Sequence, residues 1–381
     1  MDFNFTEEQN LLRDSIAKWV ASRYDFDKRR ALAKAAGFSR THWAEIAESG
    51  LLAASLPEEY GGFGGGPIDT MIIMEEFGKG LVLEPFVPCV TLCGGLLAQA
   101  GSAAQKAEHV TKIAAGERIF AFAHAEPKSR YHMSHVETHA RKDGAGYVLN
   151  GHKAVVLGAP MADHLLVSAR TGGQIAEENG ISLFIVAKDA QGIRTRDYPT
   201  VDGLRASEIY LENVALGADA LVGAEGMALA SLEAGVDHAI AALCAEAVGA
   251  MKMMHDITLD YARTRKQFGV PIASFQVLQH RMVDMFMAYE QSVSMTYMVA
   301  LKVGDPSPVE RAKAASAAKV QIGKAGRFIG QSAVQIHGGI GMTEEYRVGH
   351  YFKRATMIDS QFGNVDYHLR RFAALSNRAA A

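Results

Sequence analysis

Two segments in the last third of the chain bring together residue types that could do chemistry. The first is Arg265-Lys266-Gln267-Phe268-Gly269-Val270-Pro271-Ile272, followed by Phe275-Gln276. The second is Gln335-Ile336-His337-Gly338-Gly339-Ile340-Gly341-Met342, followed by Glu345-Tyr346. An arginine beside a tight glycine turn can hold a phosphate through paired, charge-assisted hydrogen bonds. A Gly-Gly-x-Gly loop lets backbone approach a bulky cofactor, because no Cβ stands in the way. Taken singly, each segment reads equally well as a turn between two helices.

Other constellations carry less. His132, His135 and His139 suggest a metal shell, but no cysteine or acidic helix motif completes it, and His135 and His139 fall along a strand. Cys89 and Cys93 are spaced four apart on a helix as buried thiols and lack the redox C-x-x-C spacing. Gly64-Gly65-Gly66 has no following Lys-Ser/Thr, so it is not a P-loop, and no G-x-G-x-x-G follows a strand. Arg29-Arg30 and Arg370-Arg371 read as solvated faces.

The elements that must position these residues come in three blocks. Thr6-Glu7-Glu8-Gln9 has the capping-box pattern, with Leu11, Leu12 and Ile16 following at helical spacing. Ser39 caps a second helix with Trp43, Ile46 and Ala47 inward, and Pro67 opens a third with Met71, Met74 and Phe77 on one side. From Ile119 the punctuation changes. Asp143-Gly144 and Asn150-Gly151 are hairpin-turn dipeptides flanking Tyr147-Val148-Leu149, and His164–Val167 and Ile181–Val186 read as further strands. Short strands joined by tight turns predict an antiparallel sheet or small barrel. After Gly226 the chain reads as helical to its end, with Pro271, Pro306 and Pro308 where helices join and Met282, Met285, Phe286, Tyr289 and Val293 on one apolar face. This is an α+β order with boundaries at 1–117, 118–225 and 226–381.

Composition narrows the partners. The 381 residues are 49% hydrophobic and 21% charged, the balance of an ordered globular protein. Thirty-nine Lys and Arg against 42 Asp and Glu leave a net charge of -3, which gives no footprint for nucleic acid or an anionic membrane. No apolar run reads as a transmembrane span, the N-terminus lacks a secretory pattern, and three cysteines make no disulfide framework. A cytoplasmic protein is expected.

In this order and behind this layout, the two motifs resemble the acyl-CoA dehydrogenase family. Pro57-Glu58-Glu59-Tyr60-Gly61-Gly62, Glu126-Pro127 and Gly203-Leu204-Arg205-Ala206-Ser207 extend the resemblance over nearly the whole chain. Gln276-Val277-Leu278-Gln279-His280-Arg281 and Val348-Gly349-His350-Tyr351-Phe352-Lys353-Arg354 are similar to the small subunit of pimeloyl-CoA dehydrogenase. The resemblance implies an N-terminal α-helical domain, a central antiparallel β-barrel and a C-terminal four-helix bundle, assembled as a tetramer with FAD near subunit interfaces. It also implies a reaction. A carboxylate takes the α-proton of an acyl-CoA thioester while the β-hydrogen leaves as hydride to the flavin, with a hydrogen bond stabilising the thioester oxygen. An electron-transfer flavoprotein is the implied electron acceptor.

The chain departs from the family pattern at the reacting end. Gapless counting from Gln335 puts Phe362-Gly363 where the base glutamate and its glycine usually stand; Phe362 can offer a backbone N–H to the thioester oxygen but accepts no proton. The alternative base position, on the first C-terminal helix, matches Ala239, with Asp237 and Glu246 as the nearest carboxylates. Ala125 replaces a flavin-binding Thr, and Val155 and Leu157 replace an aromatic residue and a Thr near the ring, with Phe122 on the preceding strand. Arg265, Gln267, Phe268, Phe275, Gln335, Gly338 and Gly339 instead match the elements that reach a neighbouring subunit's FAD at its pyrophosphate and adenosine end.

This division implies a small subunit that clamps the FAD of a homologous large subunit in a two-plus-two tetramer. The implied substrate is a CoA thioester of a dicarboxylic, aromatic-linked or steroid side-chain acid. A self-sufficient homotetramer with a relocated base, and a non-catalytic acyl-CoA-binding or scaffold protein, are the alternatives. A plain scaffold has no use for the phosphate clamp at Arg265 and Gln335.

Overall fold

The computed structural model describes residues 5–380 and divides the chain into two compact units. One gathers Met1–Ala31, Pro67–Val82 and Ile240–Ala381, the other Leu32–Gly66 and Leu83–Ala239.

The first unit is helical. Helix α1 (Glu7–Arg23) starts on the expected capping box, with Gln9 N–H donating to Thr6 Oγ1 and Thr6 N–H to Gln9 Oε1, both at 3.2 Å. It buries Ile16 and Val20, whereas Leu11 is exposed. Helix α2 (Phe26–Lys34) begins in this unit and ends in the second, to which α3 (Arg40–Glu48), capped by Ser39, belongs. Helix α4 spans Pro67–Gly80. The long helix α5 (Leu229–Thr264) runs across the division between units, and its part in the first unit meets α4 through glycines. A Cβ at Gly78 would stand 2.0 Å from the carbonyl of Glu246, and one at Gly249 2.0 Å from that of Glu75, so only glycine permits this approach.

Helices α6 (Gln276–Lys302), α7 (Pro308–His337), α8 (Arg347–Ser360) and α9 (Val365–Ala380) complete the C-terminal domain. With α5 they exceed the expected four helices. On α7, Gly330 makes room for the ring of Phe352 and Gly323 for the carboxylate of Asp359. On α6, Met282, Met285 and Tyr289 face inward as expected, but Phe286 stands on the exposed side. Arg29 is buried, against its reading as a solvated face: Nε donates to the carbonyl of Leu81 and Nη1 to His350 Nδ1, at 3.3 Å each. An 18-residue window within α5 has the length and apolar character of a membrane span, contrary to the sequence reading, yet 94% of it is buried in the protein.

In the second unit, short helical segments between residues 87 and 114 precede an eight-stranded sheet. The strands are β1 (Phe120–Ala123), β2 (His139–Asp143), β3 (Gly146–Leu157), β4 (His164–Arg170), β5 (Ile181–Ala187), β6 (Ile193–Pro199), β7 (Arg205–Leu216) and β8 (Leu221–Val222). Their order is β6-β7-β3-β2-β4-β5-β8, with β1 pairing β4 in parallel. The expected antiparallel barrel is therefore corrected on two points. The sheet does not close, because β6 and β8 end it without pairing to each other, and it is not wholly antiparallel.

Asp143-Gly144 leads into a hairpin turn as expected, with Gly144 at φ 59°. Asn150-Gly151 does not turn. The strand β3 continues through it because β7 pairs along both sides, and the extra residue is carried by β7, whose Glu212 and Asn213 together face Asn150 as a bulge. Asn150 accepts from Asn213 N–H at 2.8 Å, and Gly151 leaves space that Thr138 fills.

Candidate functional site

In the sheet unit, a buried charged network lies directly beneath the predicted flavin-edge positions. Glu126 Oε1 accepts from Lys153 Nζ at 2.6 Å and from Thr138 N–H at 3.0 Å, and Oε2 accepts from Glu137 N–H at 2.6 Å. Lys153 is fully buried and also donates to the His124 carbonyl at 3.1 Å and to Ser168 Oγ at 3.2 Å. Burial pulls the Lys153 ammonium down to about 8 against the opposing pull of Glu126. Burial raises Glu126, but the Lys153 charge and the hydrogen bonds outweigh it and leave the carboxyl low. Ser168 Oγ, which accepts from Lys153, also shares a hydrogen bond with His124 Nδ1 at 2.8 Å. Burial followed by the Lys153 charge lowers His124 to about 3, so its imidazole is neutral.

Above this base, Ala125 is exposed, and its carbonyl accepts from Ala154 N–H at 2.8 Å. Val155 sits where the β3–β7 register shifts, at φ 52° and half-exposed, a strained state for a β-branched residue. Leu157 is part-buried and Phe122 buried. None of these four side chains can donate or accept a hydrogen bond. The polar edge of a flavin ring finds only backbone groups here, so as a side-chain cradle these positions do not fit the ring.

The helical unit carries the other half. Arg265 follows the last residue of α5 and leads into a hairpin in which Lys266-Gln267 (β9) pairs with Val270-Pro271 (β10). Phe268 and Gly269 form its tip at φ 54° and 82°, the paired left-handed state of a tight two-residue turn. Phe268 is 91% exposed, with the edge of Phe275 at 6.1 Å. Gln267 and Arg265 are exposed, and among the described residues Arg265 has no ion-pair partner.

Gln335 is exposed on the last turn of α7, which ends in Gly338 at φ 64°. A Cβ at Gly338 or Gly339 would meet nothing within 4 Å, so no neighbour in the chain requires glycine at 339. The two motifs are tied by Tyr261, whose ring stacks on His337 at 4.3 Å. An exposed cation and open backbone at this tied corner fit an anionic diphosphate.

The base candidates are placed differently from one another. Phe362 lies in the loop between α8 and α9, half-buried, at φ 56°. Glu246 is gripped by Arg354 through both oxygens, Nε to Oε1 at 2.5 Å and Nη2 to Oε2 at 2.7 Å, and removing a substrate proton would require breaking that pair. Asp237 and Ala239 are both fully buried on α5. Sequence reasoning passed over His124, Ser168, Lys319 and His368. Their partners come from separate strands and helices, and only the histidine two residues before Glu126-Pro127 gave any local signal.

Family models for the N-terminal, middle and C-terminal domains of acyl-CoA dehydrogenase match residues 6–117, 121–214 and 224–375. Acyl-CoA dehydrogenase FadE12 of Mycobacterium tuberculosis is 33% identical over 351 residues, 90% of this chain and 89% of its own length. This chain belongs to the acyl-CoA dehydrogenase family. The family is one of FAD-linked oxidoreductases. Among solved structures, the chain is similar to the Tcur3481-Tcur3483 steroid ACAD, at TM-score 0.88 and 28% identity, covering 98% of this chain and 99% of that one. It is also similar to the ChsE4-ChsE5 complex of Mycobacterium tuberculosis, at TM-score 0.89 and 25% identity, covering 99% of each chain.

Proposed function

We propose that this chain is the small subunit of a two-chain acyl-CoA dehydrogenase, and that it clamps the FAD held by a homologous large subunit. The observation that carries the reading is the contrast between its two halves. Arg265 stands exposed and unpaired and Gly338 and Gly339 leave open backbone, while Ala125, Val155, Leu157 and Phe362 offer neither a side-chain flavin contact nor a base. In this reading Arg265, Gln267, Gln335, Gly338 and Gly339 hold the diphosphate and adenosine end of the partner's cofactor, with Phe268 and Phe275 packed against it. The bound flavin supplies the hydride acceptor for α,β-dehydrogenation of a CoA thioester. The partner supplies the carboxylate. At this chain's own loop, Phe362 N–H remains a donor for a thioester oxygen, so a thioester is seated there but not deprotonated.

The exposed apolar residues of the same unit support a partner chain. Phe268, Val270, Val277, Val283, Phe286 and Met287 are all at least 40% exposed on the hairpin and the first half of α6. Two structural neighbours, Tcur3481-Tcur3483 and ChsE4-ChsE5, are named as paired chains, and the first is a steroid ACAD, which favours a steroid side-chain thioester within the expected substrate class. The likeness to pimeloyl-CoA dehydrogenase small subunits, the domain boundaries at 117/118 and 225/226, a cytoplasmic location and an electron-transfer flavoprotein as acceptor belong to the same proposal. The test is complementation. The chain is assayed for 2-enoyl-CoA formation alone and after co-expression with a homologue that has Glu at the position of Phe362. Activity only in the second case is expected; equal activity alone would overturn the reading.

A further inference from the structure

The loop that carries Phe362 is braced from below by two fully buried side chains. Lys319, on α7, donates from Nζ to the carbonyl of Asp359 at 2.9 Å and to that of Gly363 at 2.7 Å. His368, on α9, meets the carbonyl of Phe362 with Nε2 at 3.1 Å. A carbonyl only accepts, so His368 Nε2 carries the proton, and Nδ1 accepts from Ser316 Oγ at 3.3 Å. The loop's inward carbonyls are therefore taken one after another by groups anchored on two different helices.

Holding these groups there has a cost. Burial lowers Lys319 to about 8, with Cys244 and Asp359 opposing, and burial followed by the Lys319 charge lowers His368 to about 3. Phe362 is held in the left-handed region at φ 56° although it is not glycine, and Gly363 follows at φ 120°. A Cβ at Gly363 would stand 2.3 Å from Tyr367 Cδ1 and 2.7 Å from His368 Nε2, so the brace closes directly under the loop. Among the described residues no acceptor takes Phe362 N–H. A strained residue persists only where its surroundings over-determine it, and here they fix both its carbonyl and the next one.

We infer that Lys319 and His368 are positioning residues that hold Phe362 so that its backbone N–H is presented to a thioester oxygen. This rests on the reading of Phe362 as a thioester donor given above. Neither side chain touches the ligand; each acts through the loop carbonyls.

The test compares two ligands on the purified full chain by calorimetry: an acyl-CoA thioester, and the S-alkyl-CoA thioether of the same chain length, which lacks the carbonyl. The wild type binds the thioester about tenfold more tightly, the worth of one well-placed hydrogen bond. Lys319→Met and His368→Leu each lose that preference while thioether affinity stays unchanged. His368→Gln, which keeps an N–H, retains the preference. Equal weakening of both ligands in folded variants, or retention of the preference in both, overturns the positioning role. A wild type with no preference overturns the thioester reading beneath it. The two substitutions lie on different helices, so if one prevents folding the other still decides the question.

Discussion

Arg354 encloses the carboxylate of Glu246 in a buried, two-pronged grip that joins α8 to α5 within the helical unit. Both side chains are about 6% exposed, so removing either takes from a buried charge its two-pronged partner. Arg354→Leu or Glu246→Leu should each cost about 3–5 kcal/mol in urea unfolding. The double replacement should cost clearly less than the sum of the two. Additive losses would mean that the pair is not coupled.

Arg170 ties a loop by its guanidinium. It donates to the carbonyls of Ser134, Val136, Gly172, Ile175, Glu177 and Asn179. A lysine keeps the charge but has no planar fork of donors. Arg170→Lys should therefore speed amide exchange across residues 172–180 by about tenfold or more, corresponding to the loss of roughly 1–2 kcal/mol of local hydrogen bonding. Unchanged exchange there would contradict the tie.

Acid should unfold the protein partly through two neutral histidines. His124 and His368 are held at about 3 in the fold, below the usual 6.5. Between those values the unfolded chain binds more protons, so stability falls as pH drops through this window and is unaffected by these groups above it. At pH 5 each contributes about 2 kcal/mol of destabilisation relative to neutral pH. His368→Gln should shrink the difference between stabilities measured at pH 7 and pH 5 by that amount. An unchanged difference would show that the imidazole titrates normally.

Phe268 makes almost no contact within its own chain yet occupies a left-handed turn position. Asparagine tolerates that backbone state. Phe268→Asn should leave the unfolding free energy within about 0.5 kcal/mol. It should weaken assembly with the flavin-bearing partner at least tenfold in sedimentation analysis. Loss of stability without loss of assembly would assign the ring to the fold instead.

What could be read from the sequence follows the range of the interactions involved. The helix starts at Thr6, Ser39 and Pro67 were legible because a cap is complete within four residues. The hairpin after Asp143 was legible for the same reason. Asn150-Gly151 misled because whether such a pair turns depends on β7, more than fifty positions away in its partner Asn213. Closure of the sheet depends on whether β6 meets β8, which no local pattern encodes. Arg29 looked solvated because its partners Leu81 and His350 are distant in sequence. The motifs at Arg265 and Gln335 stood out because backbone turns demand glycine nearby, whereas the brace of Lys319 and His368 joins helices that share no sequence neighbourhood.

The most direct measurement is the flavin-to-protomer ratio of this chain purified alone, read by absorbance after FAD addition and desalting. A ratio near zero is expected, rising when the partner chain is present, because the ring positions supply no side-chain hydrogen bonds while the clamp faces outward. A ratio near one for the isolated chain would contradict the proposed clamp.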